Sequence, residues 1–137
     1  MKLAFLYAGQ GTQHPGMGKD LYETYPRFRA VLDGLSLPFD LKKLCFEGPE
    51  EQLNQTEYTQ PCMVAFAAGM TEVLAEKGIR PEIVAGLSLG EYSALQCAGV
   101  FSPATAVELV AFRGKAMAQA VQGRPCGMAA VLMLGRE

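Results

Sequence analysis

The stretch Gly86-Leu87-Ser88-Leu89-Gly90-Glu91 constrains this chain more than any other. An apolar run, Ile83-Val84-Ala85, precedes it and reads as a short buried strand, while residues 92–98 follow it and read as a helix. Gly-x-Ser-x-Gly between a strand and a helix is the pattern of a nucleophile elbow, a turn so tight that a side chain on either flank would strike neighbouring backbone. It holds the Ser88 hydroxyl above the strand ends, at the positive end of the following helix. The alternative is a glycine-containing turn whose serine only caps that helix.

A serine nucleophile needs a base. His14 is the only histidine, and it precedes Pro15 within Gly9-Gln10-Gly11-Thr12-Gln13-His14-Pro15-Gly16-Met17-Gly18. A solvated histidine in such a turn is ordinary, so the base is expected outside this chain. The loop follows an apolar run at residues 3–7, read as the first buried strand of a parallel sheet. Its glycines allow backbone N–H groups to approach a ligand or another loop. It is not a P-loop, because the Gly-Lys-Ser/Thr ending is missing, and its spacing does not fit a dinucleotide fingerprint.

With 137 residues, half of them hydrophobic, the chain can bury one core and form one domain. A net charge of -2 with no basic run argues against a nucleic-acid surface. Cys45, Cys62, Cys97 and Cys126 are scattered without a C-x-x-C or Cys/His cluster, so free thiols are expected rather than a disulfide framework or a metal site. The opening apolar run is too short for a signal peptide, and no apolar stretch approaches the roughly 20 residues of a membrane span. Cytoplasmic residence, with no membrane partner, is the expectation.

Residues 21–32 read as one or two amphipathic helices broken near Pro26, residues 35–46 as an irregular crossover, and residues 49–53 as a single helical turn with an acidic start. Gln60-Pro61 opens a long helix through Glu76, stopped by Gly78; it is apolar nearly all round and should lie buried against the sheet beneath the elbow. Ser102-Pro103 caps and starts a helix to about Val121, with an apolar stripe through Ala106, Leu109, Val110, Met117 and Val121. Arg113 falls on that stripe. Its guanidinium either snorkels to the surface, which spacing favours, or is held in a cleft for an anion. Gly123-Arg124-Pro125 breaks the helix, and residues 127–134 read as a further buried strand.

Four segments together resemble the malonyl-CoA:acyl carrier protein transacylase family: Gly9-Gln10-Gly11-Thr12-Gln13, the Gln60-Pro61 helix opening, Gly86-Leu87-Ser88-Leu89-Gly90-Glu91-Tyr92-Ser93-Ala94, and Val110-Ala111-Phe112-Arg113-Gly114-Lys115-Ala116-Met117. They are collinear with the family's motifs across essentially the whole chain. The resemblance implies an α/β fold, an α/β-hydrolase-like parallel sheet with flanking helices. Residues 1–126 would form part of the large subdomain, and residues 127–137 the first strand of a truncated, ferredoxin-like small subdomain. It implies transfer of malonyl from malonyl-CoA to the phosphopantetheine thiol of acyl carrier protein, with no cofactor and no metal, in fatty-acid biosynthesis.

The same resemblance gives Ser88 the role of acyl-accepting nucleophile, the backbone N–H groups of Gln10 and Leu89 that of an oxyanion hole, and Arg113 that of partner to the malonyl carboxylate, which reverses the preference for snorkelling. It puts the catalytic base in a missing C-terminal half, itself an expected partner. The residue before the nucleophile, usually histidine in the family, is Leu87. The alternatives are an acyltransferase of a polyketide pathway, a non-catalytic fragment that only binds or assembles, and an ordinary serine hydrolase with the same elbow.

Overall fold

The computed structural model describes residues 2–127 and 129. The chain enters through strand β1 (Ala4–Tyr7), then runs through α1 (Lys19–Thr24), α2 (Pro26–Asp33), α3 (Leu41–Glu47), α4 (Glu50–Leu53) and the long α5 (Thr56–Glu76) before strand β2 (Ile83–Gly86). Helix α6 (Gly90–Cys97) follows the elbow, and α7 (Pro103–Val121) completes the described elements. The two strands pair in parallel, from Ala4 opposite Ile83 to Tyr7 opposite Gly86. Parallel pairing in this register brings the loop after β1 and the elbow after β2 out at the same end of the sheet, where open α/β sheets bind their ligands.

Several elements form where local chemistry demands. Pro26 cannot continue α1 but is well placed at the first position of α2, so two helices stand where one amphipathic pattern ran. Ser102 caps α7, its Oγ accepting from the Thr105 N–H at 3.1 Å, with Pro103 at the first helical position as expected. Residues 35–46 are less irregular than expected. Asp40 accepts from the Lys43 N–H at 2.9 Å and thereby starts α3.

Helix α5 begins one turn before Pro61, at Thr56. Pro61 is therefore inside the helix, where its fixed φ suits the helical backbone but its missing N–H leaves the Glu57 carbonyl without its i−4 partner. Contrary to expectation, α5 packs mainly on α7 and α2 rather than on the sheet. Phe28 of α2 stacks edge-on against Phe66, ring centroids 5.8 Å apart, and lies over Gly69, where a Cβ would come within 2.5 Å of the ring. The link from α5 to the sheet includes the Tyr7 Oη to Thr71 Oγ1 hydrogen bond of 2.8 Å. Burial, then hydrogen bonding to Cys97, pushes the Tyr7 phenol well above its ordinary pKa.

Two expectations about burial need correction. The strands are not buried on both faces: Phe5, Tyr7 and Val84 are half-buried, whereas Leu6 is 81% and Ile83 68% exposed. The described helices cover one face of the sheet only. On α7 the buried residues are Ala106, Val107, Val110 and Gly114, while Leu109, Met117 and Val121 stand substantially exposed. The small residues decide this, because they let α7 approach the α5 backbone closely, and the bulkier face is left outside. The strand expected over residues 127–134 falls, but for Gly127 and Ala129, outside the described residues.

Candidate active site

The elbow is built by sterics. A Cβ on Gly86 would lie 2.0 Å from the Gly90 carbonyl carbon, and a Cβ on Gly90 would lie 2.2 Å from the Tyr7 carbonyl oxygen, distances that no side chain survives. Between them Ser88 takes φ 52°, the only positive φ among the described non-glycine residues. A serine held in this sparsely populated conformation is the strained geometry that presents Oγ from a sharp strand-to-helix turn. Capping does not account for it: the N-cap of α6 is Leu89, and no side chain caps that helix.

The loop after β1 leans on this turn. A Cβ on Gly9 would stand 3.0 Å from the Leu87 carbonyl oxygen, so glycine allows the two loops to touch. The Leu87 N–H donates to the Tyr7 carbonyl at 3.1 Å, carrying the strand pairing into the elbow, while its side chain is 74% exposed. Among the described residues, neither the Gln10 N–H nor the Leu89 N–H has a protein acceptor. Both expected oxyanion donors therefore remain available.

Arg113 does not snorkel. Its Nη1 donates to Gln60 Oε1 at 2.7 Å, its Nη2 donates to Ser88 Oγ at 3.2 Å, and its guanidinium lies over the Tyr92 ring at 5.7 Å from the centroid. Gln60 is fully buried and spans the gap, because its Nε2 donates to Thr56 Oγ1 at 2.9 Å and to Met117 Sδ at 3.3 Å. The Thr56 hydroxyl in turn donates to Gln10 Oε1 at 2.8 Å. Beside Arg113 an open cleft of about 440 Å³ is walled by Tyr92, Leu109, Phe112 and Met117. A cation against such apolar walls pairs with a carboxylate more strongly than one in water.

Gln60, Thr56 and Tyr92 are thus part of the site, in roles that the sequence reading did not assign. The sequence shows Gln60 only as a helix opener; the signal it does carry is an amide before a proline at the head of an otherwise apolar helix. His14 has no part in the constellation: its Nδ1 lies 3.1 Å from the Pro15 carbonyl, and the ring is exposed. Nor do the two buried thiols offer a nucleophile here. Cys45 and Cys62 are buried, and the Cys45 side chain, then burial, pushes the Cys62 thiol far up, away from thiolate. Among the described residues no His/Cys/Asp/Glu group could hold a metal ion, and no described helix is long and apolar enough to cross a membrane.

A family model for the acyl transferase domain matches residues 4–135. The malonyl CoA-acyl carrier protein transacylase of Bacillus subtilis is 43% identical over 138 residues, a span of 99% of this chain and 44% of that protein. The chain therefore covers less than half the length of this relative. Among solved structures, the malonyl CoA-acyl carrier protein transacylase from Clostridium perfringens superposes with a TM-score of 0.83 at 42% identity, over 88% of this chain and 39% of that one. A malonyl transacylase solved in complex with a type II polyketide acyl carrier protein matches with a TM-score of 0.83 at 44% identity, over 88% of this chain and 40% of that one. The α/β arrangement described above is the malonyl transacylase fold over the part that this chain spans.

Proposed function

The chain belongs to the acyl transferase domain family, and from that premise we propose that it carries the nucleophile and acyl-binding part of a malonyl-CoA:acyl carrier protein transacylase of fatty-acid biosynthesis, acting in the cytoplasm. Ser88 Oγ adds to the thioester carbonyl of malonyl-CoA, and the tetrahedral intermediate collapses by breaking the C–S bond. The serine proton passes to a base and from it to the departing CoA sulfur. The phosphopantetheine thiol of acyl carrier protein then adds to the ester carbonyl; collapse of the second intermediate breaks the C–Oγ bond, and the thiol proton passes by the same base to Ser88 Oγ. The N–H groups of Gln10 and Leu89 hold the oxyanion of each tetrahedral intermediate.

Arg113 pairs with the free carboxylate of the malonyl group, exchanging its contact with Ser88 Oγ for one with the substrate while Gln60 keeps Nη1 in place. That pairing of a guanidinium with an elbow serine is the observation that carries the reading, because a plain hydrolase has no use for a cation there. No described residue supplies the base, and we assign it to the further length that the relatives possess, with residues 127–137 of this chain leading into a small subdomain. A polyketide carrier protein is the second reading, supported by the likeness to the polyketide transacylase complex.

The test is steady-state transfer from malonyl-CoA to holo acyl carrier protein by the chain completed with the complementary half. Parallel double-reciprocal lines and loss of turnover in Ser88→Ala are expected. Intersecting lines, or turnover surviving in Ser88→Ala, would remove the acyl-serine intermediate.

A further inference from the structure

From the contacts around the first residue of α5 we infer that Thr56 is a positioning residue, one that couples the loop bearing Gln10 to the guanidinium of Arg113. Three elements meet on it. Its Oγ1 donates to Gln10 Oε1 at 2.8 Å and accepts from Gln60 Nε2 at 2.9 Å. Its backbone carbonyl lies against α7 at Gly114, where a Cβ would come within 2.7 Å of that oxygen. The residue next to Arg113 is therefore seated directly on Thr56.

Donor and acceptor inventories make the chain of bonds one-directional. A guanidinium can only donate, so Gln60 presents Oε1 to Arg113 and must turn Nε2 the other way, toward Thr56. The Thr56 hydroxyl, having accepted from Nε2, has its single proton left for Gln10 Oε1. Reversing the Gln60 amide would aim an N–H at a cation, so the acceptor at Thr56 helps to keep Gln60 in the orientation that Arg113 needs. A second tether runs in parallel: Gln13 Nε2 donates to Asn54 Oδ1 at 2.7 Å, and Gln13 Oε1 accepts from the Gly11 N–H at 2.8 Å. Asn54 at the end of α4 and Thr56 at the start of α5 thus hold the Gln10 loop at two points, and Gln60 one turn on holds the arginine.

The inference rests on the roles given above to Gln10 and Arg113, but its geometry can be tested without them. Thr56→Val keeps the shape and deletes the hydroxyl, Thr56→Ser restores it, and Thr56→Ala serves if valine distorts the helix start. In the chain itself, modification of Arg113 by phenylglyoxal, followed by peptide mass, should run several-fold faster in Thr56→Val and return to the parent rate in Thr56→Ser. In the completed enzyme, malonyl transfer by Thr56→Val should fall roughly 10- to 100-fold in kcat, the scale of a small misplacement of catalytic groups. The preference for malonyl over acetyl should fall with it, and serine should rescue both. General damage to the fold would lower both acyl transfers alike. Unchanged labelling of Arg113 together with an unchanged acyl preference in Thr56→Val overturns the inference and leaves the proposed function standing. Faster labelling with serine rescue, in a parent enzyme that transfers no malonyl, upholds the positioning role and removes the proposed function instead.

Discussion

The guanidinium of Arg113 reaches from α7 to donate to the Ser88 hydroxyl at 3.2 Å, although 25 residues separate them in sequence. A cation and a strained serine are therefore in direct hydrogen-bond contact. In the completed enzyme, Arg113→Ala should lose on the order of 2–4 kcal/mol of transition-state binding for malonyl transfer, with acetyl transfer much less affected or raised. Comparing kcat/KM for the two thioesters checks this. Equal losses would make Arg113 a structural residue.

The elbow glycines make a prediction about stability. Gly90→Ala places a methyl group 2.2 Å from the Tyr7 carbonyl oxygen, and the backbone on both sides of the contact is fixed by strand pairing or helix. The variant should lose about 2–3 kcal/mol or fail to fold, at the upper end of overpacking costs. Urea unfolding midpoints measure it. A midpoint equal to the parent's would mean that the turn has room that the structure does not give it.

Leu6 and Ile83 lie on the uncovered face of the sheet, each more than two-thirds exposed. Apolar strands in that state promote association. Sedimentation of the 137-residue chain at several concentrations should show self-association, weakened in Leu6→Lys. The chain alone should transfer no malonyl, with His14→Ala making no difference. A monomer at all concentrations with full turnover would contradict both expectations.

Much of this architecture is legible in the sequence because it is local. Gly86, Ser88 and Gly90 specify a turn within five residues; Ser102-Pro103 and Pro26 each mark a helix start within two. Asp40 was equally local and still escaped, since a cap is hard to see without a strong apolar period after it. The start of α5 was misplaced because Pro61, usually a first-turn residue, sits a turn further in. What spacing could not reveal is contact between distant segments. Gln10, Thr56, Gln60, Arg113 and Ser88 form one hydrogen-bonded chain only after α5 and α7 pack together. The buried face of α7 shows the same limit, since Ala106 and Gly114 won the interface over Leu109 and Met117 by being small.

The central claim, that Ser88 accepts the acyl group, is tested most directly by intact-protein mass after brief mixing of the completed enzyme with malonyl-CoA. One malonyl increment per chain, mapped to the peptide bearing Ser88 and absent from Ser88→Ala, is the predicted result. A malonyl increment of full stoichiometry that persists in Ser88→Ala would contradict it.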